Sequence, residues 1–265
     1  MSTPPRKISF VIASSDHGTL ILNRLDYNVS GAVQYGVGIQ LLDAGSFDAA
    51  EVELAGKLLG LRRHYFGDGV TAIDCGANIG VHTIEWAKQM TGWGKVVAIE
   101  AQERIYYALA GNIAINNCFN ATAIHAAVSD TSGVMRIPLL DYQKPASFGS
   151  LELTKLNKTE AIGQTVDYAA EAGVEVRMTT IDAMNSARCD FIKIDVEGME
   201  MSVLAGAAAT ISKHSPIIMA ESIKTDKEAL RAKLLALGYR VFEVGINFLA
   251  IHSSDPCLPH ITPAP

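Results

Sequence analysis

The chain has no surplus of positive charge. Its 22 Lys and Arg stand against 28 Asp and Glu, a net charge of −6, and no basic stripe breaks that balance. Gripping nucleic-acid phosphates takes clustered Lys and Arg, so a nucleic-acid substrate is not expected. There is no apolar run of membrane-spanning length. The opening Met-Ser-Thr-Pro-Pro-Arg-Lys is not followed by a signal-peptide core of sufficient length. Cysteine is scarce: Cys75, Cys118, Cys189 and Cys257 are scattered, with no C-x-x-C pair. That argues against a structural zinc site and for a reduced, cytoplasmic protein. The seven histidines are dispersed too, and no internal repeat is evident. What the chain does have is 265 residues at 49% hydrophobic and 19% charged, enough for one large α/β core with an extension.

The organising stretch is Val70 to Thr83. Val70, Thr71 and Ile73 form a short β-branched run that reads as a buried strand. Asp74-Cys75-Gly76-Ala77-Asn78-Ile79-Gly80 reads as a tight turn, and Val81 onward as a helix. Strand, glycine turn and helix form the cofactor corner of an open α/β sheet. A dinucleotide site would place pyrophosphate on a G-x-G-x-x-G turn. Here an acid leads and the glycines fall at 76 and 80. A fixed carboxylate at the strand lip disfavours pyrophosphate. It suits a donor carrying cationic groups, such as the ammonium and sulfonium of S-adenosylmethionine. Asp74 as a cap of the next helix is the plainer alternative.

Residues 1–47 read as an N-terminal extension that could lid the substrate. Ile8–Ala13 and Thr19–Leu22 form an expected hairpin around Asp16-His17-Gly18, and Tyr35–Ile39 another strand. The core spans 48–252 and opens with a helix whose first turn carries Glu51. After the Val81–Met90 helix, Lys95–Glu100 is a second parallel strand. Glu100 lies 24 positions beyond Gly76, about the interval at which a strand-end acid reaches a ribose. Gln102–Asn117 reads as a helix and Ala121–Val128 as the third strand, with Ala127 beside a flat base. Val134–Leu140 reads as an edge strand, and Asp141–Gly173 as a long substrate-side loop. Val174–Met178 is another strand and Thr180–Met184 a short helical turn. Asp190–Asp195 is a buried strand, followed by a helix over about Met199–Lys213. Ser215–Glu221 is the fifth strand and Lys224–Leu237 a helix. Tyr239–Val244 and Asn247–His252 are a closing pair around Gly245, and the Pro-rich tail, 253–265, reads as loose. A two-strand ending joined by a tight turn must be antiparallel. The expected fold is therefore α/β: a seven-strand, mostly parallel, Rossmann-like sheet of the class I methyltransferase type, with helices on both faces and an antiparallel edge strand.

Four pieces together resemble the FkbM-type methyltransferase family. They are Ile73-Asp74-Cys75-Gly76-Ala77-Asn78-Ile79-Gly80, Ile99-Glu100, Phe191-Ile192-Lys193-Ile194-Asp195-Val196-Glu197-Gly198-Met199-Glu200, and Asn247-Phe248-Leu249-Ala250. Lys-Ile-Asp-Val-Glu-Gly-x-Glu is the most specific of them, and the similarity covers roughly 48–252. One departure is Glu100-Ala101, where this family commonly has Glu-Pro. The resemblance implies S-adenosylmethionine-dependent transfer of a methyl group to an oxygen, often on a sugar or a polyketide-like natural product.

Asp74, Glu100, Asp195 and Glu221 each end a predicted parallel strand. Such ends face one crevice, and unpaired buried carboxylates are costly, so packing alone does not account for them. The residues read as holding the methyl donor are Asp74, Gly76, Asn78, Gly80, Thr83, Glu100, Ala101, Ala127 and Asp195. Asp195 and Glu197 are the candidate catalytic residues, orienting an acceptor hydroxyl and taking its proton. A plainer role for Glu197 is a helix first-turn acid. A divalent metal on Asp195 with Glu197 or Glu221 is conceivable but not favoured, because no third ligand is evident. His82, His125 and His214 read as packed or surface residues. The expected partner is a small-molecule or carbohydrate hydroxyl, and a homo-oligomer is left open. Two other readings are an NAD-dependent oxidoreductase and a non-catalytic binding subunit that keeps the fold.

Overall fold

A computed structural model describes residues 7–31, 33–157, 159–169 and 173–261. The far ends of the expected extension and tail, 1–6 and 262–265, and part of the expected long loop lie outside the described residues. The N-terminal part holds two hairpins. β1 (Phe10–Ser15) pairs with β2 (Gly18–Asn23), as the sequence predicts, and β3 (Asn28–Ser30) pairs with β4 (Val33–Tyr35). The expected Tyr35–Ile39 strand stops at Tyr35, and α1 (Val37–Ala44) follows. The reason is remote in sequence. The buried carboxylate of Asp26 accepts the Gly38 N–H at 3.1 Å and so caps the first turn. Between them Gly36 adopts φ 141° against the Asp26 backbone.

The core begins with α2 (Ala49–Phe66), β5 (Val70–Cys75), α3 (Val81–Gln89), β6 (Gly94–Glu100), α4 (Glu103–Ile115) and β7 (Ala121–His125). Every residue of β5 is buried, as its β-branched run predicts. The expected third strand, Ala121–Val128, is broken at Ala126, whose N–H turns to the Glu100 carbonyl at 3.1 Å. β8 (Ala127–Val128) then joins a separate sheet, order β8-β10-β9, with β9 (Gly133–Ile137) and β10 (Val174–Thr179). The Val134–Leu140 segment is thus a strand of this small sheet, not an edge of the main one. β11 (Phe191–Ile194) returns to the main sheet.

The helix expected over Met199–Lys213 is two helices, α5 (Glu200–Ala205) and α6 (Ala208–His214). A Cβ at Gly206 would collide with the Ser129 carbonyl. Asp182 caps the second piece, accepting the N–H groups of Ala209 at 2.9 Å and Thr210 at 2.7 Å. β12 (Ile217–Glu221), α7 (Lys227–Ala236), β13 (Tyr239–Val244) and β14 (Asn247–His252) complete the sheet.

The main sheet runs β13-β14-β12-β11-β5-β6-β7. β12, β11, β5, β6 and β7 are parallel to their neighbours in that run, while β14 is antiparallel to both β12 and β13. The antiparallel strand expected at the edge therefore lies one place in, with β13 outside it. Alternate residues feed two cores. Phe191, Ile217 and Met219 join one with α2 and α3, and Ile192, Ile194 and Ile218 the other with α5, α6 and α7. The chain leaves β5 in one direction and returns through β11 in the other, so the crevice opens between these two strand ends.

The Pro-rich segment read as loose is packed as far as the described residues run. Asp255 and Cys257 are buried, and Arg62 of α2 is paired with both Asp255 and Asp190. The long loop is likewise anchored, by buried Phe148, Leu151 and Ile162.

Candidate functional site

The glycine turn is built around close backbone approaches. Gly76 and Ala77 both donate to the Ile99 carbonyl at 3.0 Å, which locks the turn onto β6. Gly76 has φ 79°, and a Cβ there would overlap the Asp195 carbonyl on the neighbouring strand end. Gly80, at φ 93°, begins α3, where a Cβ would stand 2.6 Å from Leu109. Asp74 is buried, and its carboxylate accepts the Thr83 hydroxyl at 2.6 Å. Thr83 is not on the cavity wall. It stands behind Asp74 and fixes the orientation of that carboxylate, a correction to its expected place against the donor.

Glu100 ends β6 with both oxygens engaged: Oε2 accepts the Asn78 N–H at 3.0 Å and Oε1 the Gln102 N–H at 2.7 Å. Burial pushes its carboxyl up to about 7, and these backbone donors only partly offset the effect. Each oxygen keeps a lone pair for another donor. Ala101, Ala126, Ala127 and Val128 supply a small apolar wall beside it.

Further along the crevice the charge density rises. Lys193, buried within β11, donates to Asp195 Oδ2 at 2.7 Å and stands 4.0 Å from Glu51. Burial alone would lower the lysine, but Asp195, Glu51 and Asp74 overcome it and hold the ammonium charged. Glu51 also pairs with His82 at 3.2 Å and accepts Asn247 Nδ2 at 2.7 Å. Glu197, at φ 55°, forms an ion pair with Lys224, which also holds Glu160 at 2.8 Å. Glu200 keeps this loop in place by accepting the Gly198 N–H at 3.0 Å. Glu221 completes the cluster. Burial first, and then Asp195, pushes Glu197 up to about 8 and Glu221 up to about 9.

Asp74, Gly76, Asn78, Gly80, Glu100, Ala101, Ala127, Asp195 and Glu197 all line one cavity of about 380 Å³. Sequence reasoning missed its cations, Lys193 and Lys224, and the His82–Glu51 pair. Lys193 carried a signal, a charge in the middle of an apolar strand. Lys224, three residues beyond a strand in a polar run, carried none. His125 stacks on Tyr106 and holds the Ala101 carbonyl at 3.0 Å.

A sequence model described as the methyltransferase FkbM domain matches residues 74–241. Comparison with curated proteins gives no match. Among solved structures, methyltransferase FkbM from Methylobacillus flagellatus KT superposes with a TM-score of 0.50 at 18% identity. That match covers 71% of this chain and 46% of the other, so the chain spans less than half the length of that relative. Precorrin-6y C5,15-methyltransferase from Geobacter metallireducens GS-15 gives a TM-score of 0.43 at 15% identity, over 76% of this chain and 87% of that one. M. jannaschii TYW2, solved in complex with AdoMet, gives 0.40 at 14% identity, over 94% and 87%. The fold is that of the S-adenosylmethionine-dependent methyltransferases, and with the domain match extending from the Asp74 turn into β13 the chain belongs to the FkbM methyltransferase family.

Proposed function

We propose that this protein methylates a hydroxyl oxygen of a small molecule, a sugar or a natural product, with S-adenosylmethionine as donor. The observation that carries this reading is the convergence of the Asp74, Glu100, Asp195 and Glu197 carboxylates on one cavity beside an apolar wall. Bound S-adenosylmethionine would supply an electrophilic methyl group. Glu100 accepts hydrogen bonds from the ribose hydroxyls, Asp74 attracts the cationic methionine end, and Ala127 packs against the base. Gly76, Asn78 and Gly80 shape the turn that the donor lies on, and Ala101 adds to the wall. Asp195, held by Lys193, and Glu197 face the acceptor, orient its hydroxyl in line with the methyl group and take its proton. The same proposal places the protein in the cytoplasm, on the strength of four buried, unpaired thiols.

Two measurements test it. Calorimetry should show S-adenosylmethionine binding that Glu100→Ala weakens. Methyl transfer from labelled donor to hydroxylated acceptors should fall at least tenfold in Glu197→Gln. Unchanged turnover in that variant removes the proton-accepting role. Donor binding without transfer to any acceptor favours a binding subunit.

A further inference from the structure

We infer that the protein binds one divalent oxygen-preferring cation, of the Mg²⁺ or Mn²⁺ class, between Asp195, Glu197 and Glu221. One carboxylate oxygen from each of these three residues lies within 4.8 Å of the other two. Mg²⁺ holds its oxygen ligands at about 2.0–2.1 Å and larger hard cations at up to about 2.6 Å, so ligand oxygens stand at most about 4–5 Å apart, and closing the three carboxylates onto Mg²⁺ takes a shift of less than about 1 Å. Two stretches of backbone supply them, the segment after β11 and the end of β12. Asp195 follows β11, Glu197 is held at positive φ in the next loop, and Glu221 ends β12. Their convergence is thus a product of the fold and not of one flexible segment.

Glu221 supplies the independent evidence for a ligand. It is 6% exposed, faces the cavity, and its Oε2 has no hydrogen-bond partner among the described residues. A buried carboxylate oxygen without a donor is costly to leave so, and a cation is what would satisfy it. The two lysines do not fill this need. Lys193 takes Oδ2 of Asp195, and Lys224 takes Oε2 of Glu197, which leaves each carboxylate a second oxygen for the cation. The sequence offers Glu197 and Glu221 as alternative partners of Asp195; the β11–β12 pairing brings Glu221 beside Asp195, so that all three meet.

The role of this cation rests on the methyltransferase reading: open coordination positions would hold the acceptor oxygen and make its proton easier to remove. The site itself is tested without turnover. The full chain, freed of metal and without donor, is titrated with Mn²⁺ by calorimetry and by loss of the free-Mn²⁺ paramagnetic resonance signal. One saturable Mn²⁺ per chain is expected, displaced by Mg²⁺ and weakened at least tenfold by Glu221→Gln. Glu243→Gln, a surface acid paired with Lys227, should leave it unchanged. Circular dichroism of Glu221→Gln reports whether the variant folds. If it does not, Asp195→Asn provides the same comparison. Absence of saturable Mn²⁺ and Mg²⁺ binding, or binding that both variants leave intact, overturns the site. Mn²⁺ binding that follows these variants in a protein that fails to bind S-adenosylmethionine upholds the site and overturns the donor reading instead.

Discussion

The carboxylate of Asp26 accepts a hydrogen bond from the backbone N–H of Phe148 at 2.9 Å, across 122 positions of chain. Its other oxygen takes the Gly38 N–H. One buried side chain thus ties the N-terminal hairpins, the start of α1 and the long loop, and neighbours of each tie, Val37 and Gly149, line the cavity. Asp26→Ala strands two buried donors, so a loss of about 2–5 kcal/mol in urea unfolding is expected, with weaker donor binding. Burial raises this carboxyl from 3.8 to about 6. A raised folded value means that its contribution to stability is complete below about pH 4 and is lost as pH rises through about 6. Asp26→Asn should flatten that part of the stability profile. A profile identical to wild type would refute the assignment.

Glu100 links donor affinity to pH. Ribose hydroxyls donate to the charged carboxylate, and in the free protein burial holds that group up to about 7. Affinity for S-adenosylmethionine should therefore increase as pH rises through about 7 and level off above it. Binding below that point should release a proton, countable by calorimetry in buffers of different ionisation enthalpy. Glu100→Gln should abolish the slope and weaken binding by roughly 10- to 100-fold, the worth of charge-assisted hydrogen bonds at about 1.5–3 kcal/mol. An affinity constant across pH 6–8.5 would count against the ribose role.

Two left-handed glycines separate conformational cost from collision. Gly45 has φ 70° and ψ 0°, with open space where a Cβ would go. Gly45→Ala should cost only about 1–2 kcal/mol in thermal unfolding. Gly76, at φ 79°, adds the overlap with Asp195. Gly76→Ala should therefore lose far more, and lose donor binding with it. Equal shifts in the two variants would show that the β5–β11 approach tolerates a methyl group.

Arg62 sits between the buried carboxylates of Asp190 and Asp255. Arg62→Met leaves both without this partner, although Arg188 still holds Asp190 at 2.8 Å. A loss of about 3–5 kcal/mol is expected from chemical denaturation. A loss below about 1 kcal/mol would mean that Arg188 alone compensates.

Much of this architecture is legible residue by residue. The β-branched run of β5 and the glycines at 76 and 80 announce the strand–turn–helix corner, because local sterics and burial decide it. The strand-end acids reach one cavity because parallel strands must present their carboxyl ends together. What escaped reading depends on long-range contacts. Gly36 and Asp26 convert an apparent strand into the start of α1, and Ser129 forces the break at Gly206. Arg62 draws a Pro-rich tail onto the core. Thr83 has helical placement next to the turn, but only the fold shows that its hydroxyl is spent on Asp74. Lys224 reaches Glu197 across a loop, a partnership that no spacing rule encodes.

The placement of β14 between β12 and β13 has a consequence for the order in which the protein takes shape during synthesis. Until residues 247–252 have emerged, β12 presents an unpaired edge, and open apolar edges invite pairing between chains. Glu221 lies opposite Asn247 in that missing pairing, and Asn247 is also the donor that holds Glu51. The acidic end of the crevice is therefore finished by a strand made after β5, β11 and β12. Nascent chains halted before residue 247 should be aggregation-prone and unable to retain the donor, which pull-down of stalled ribosome complexes on immobilised S-adenosylhomocysteine would reveal.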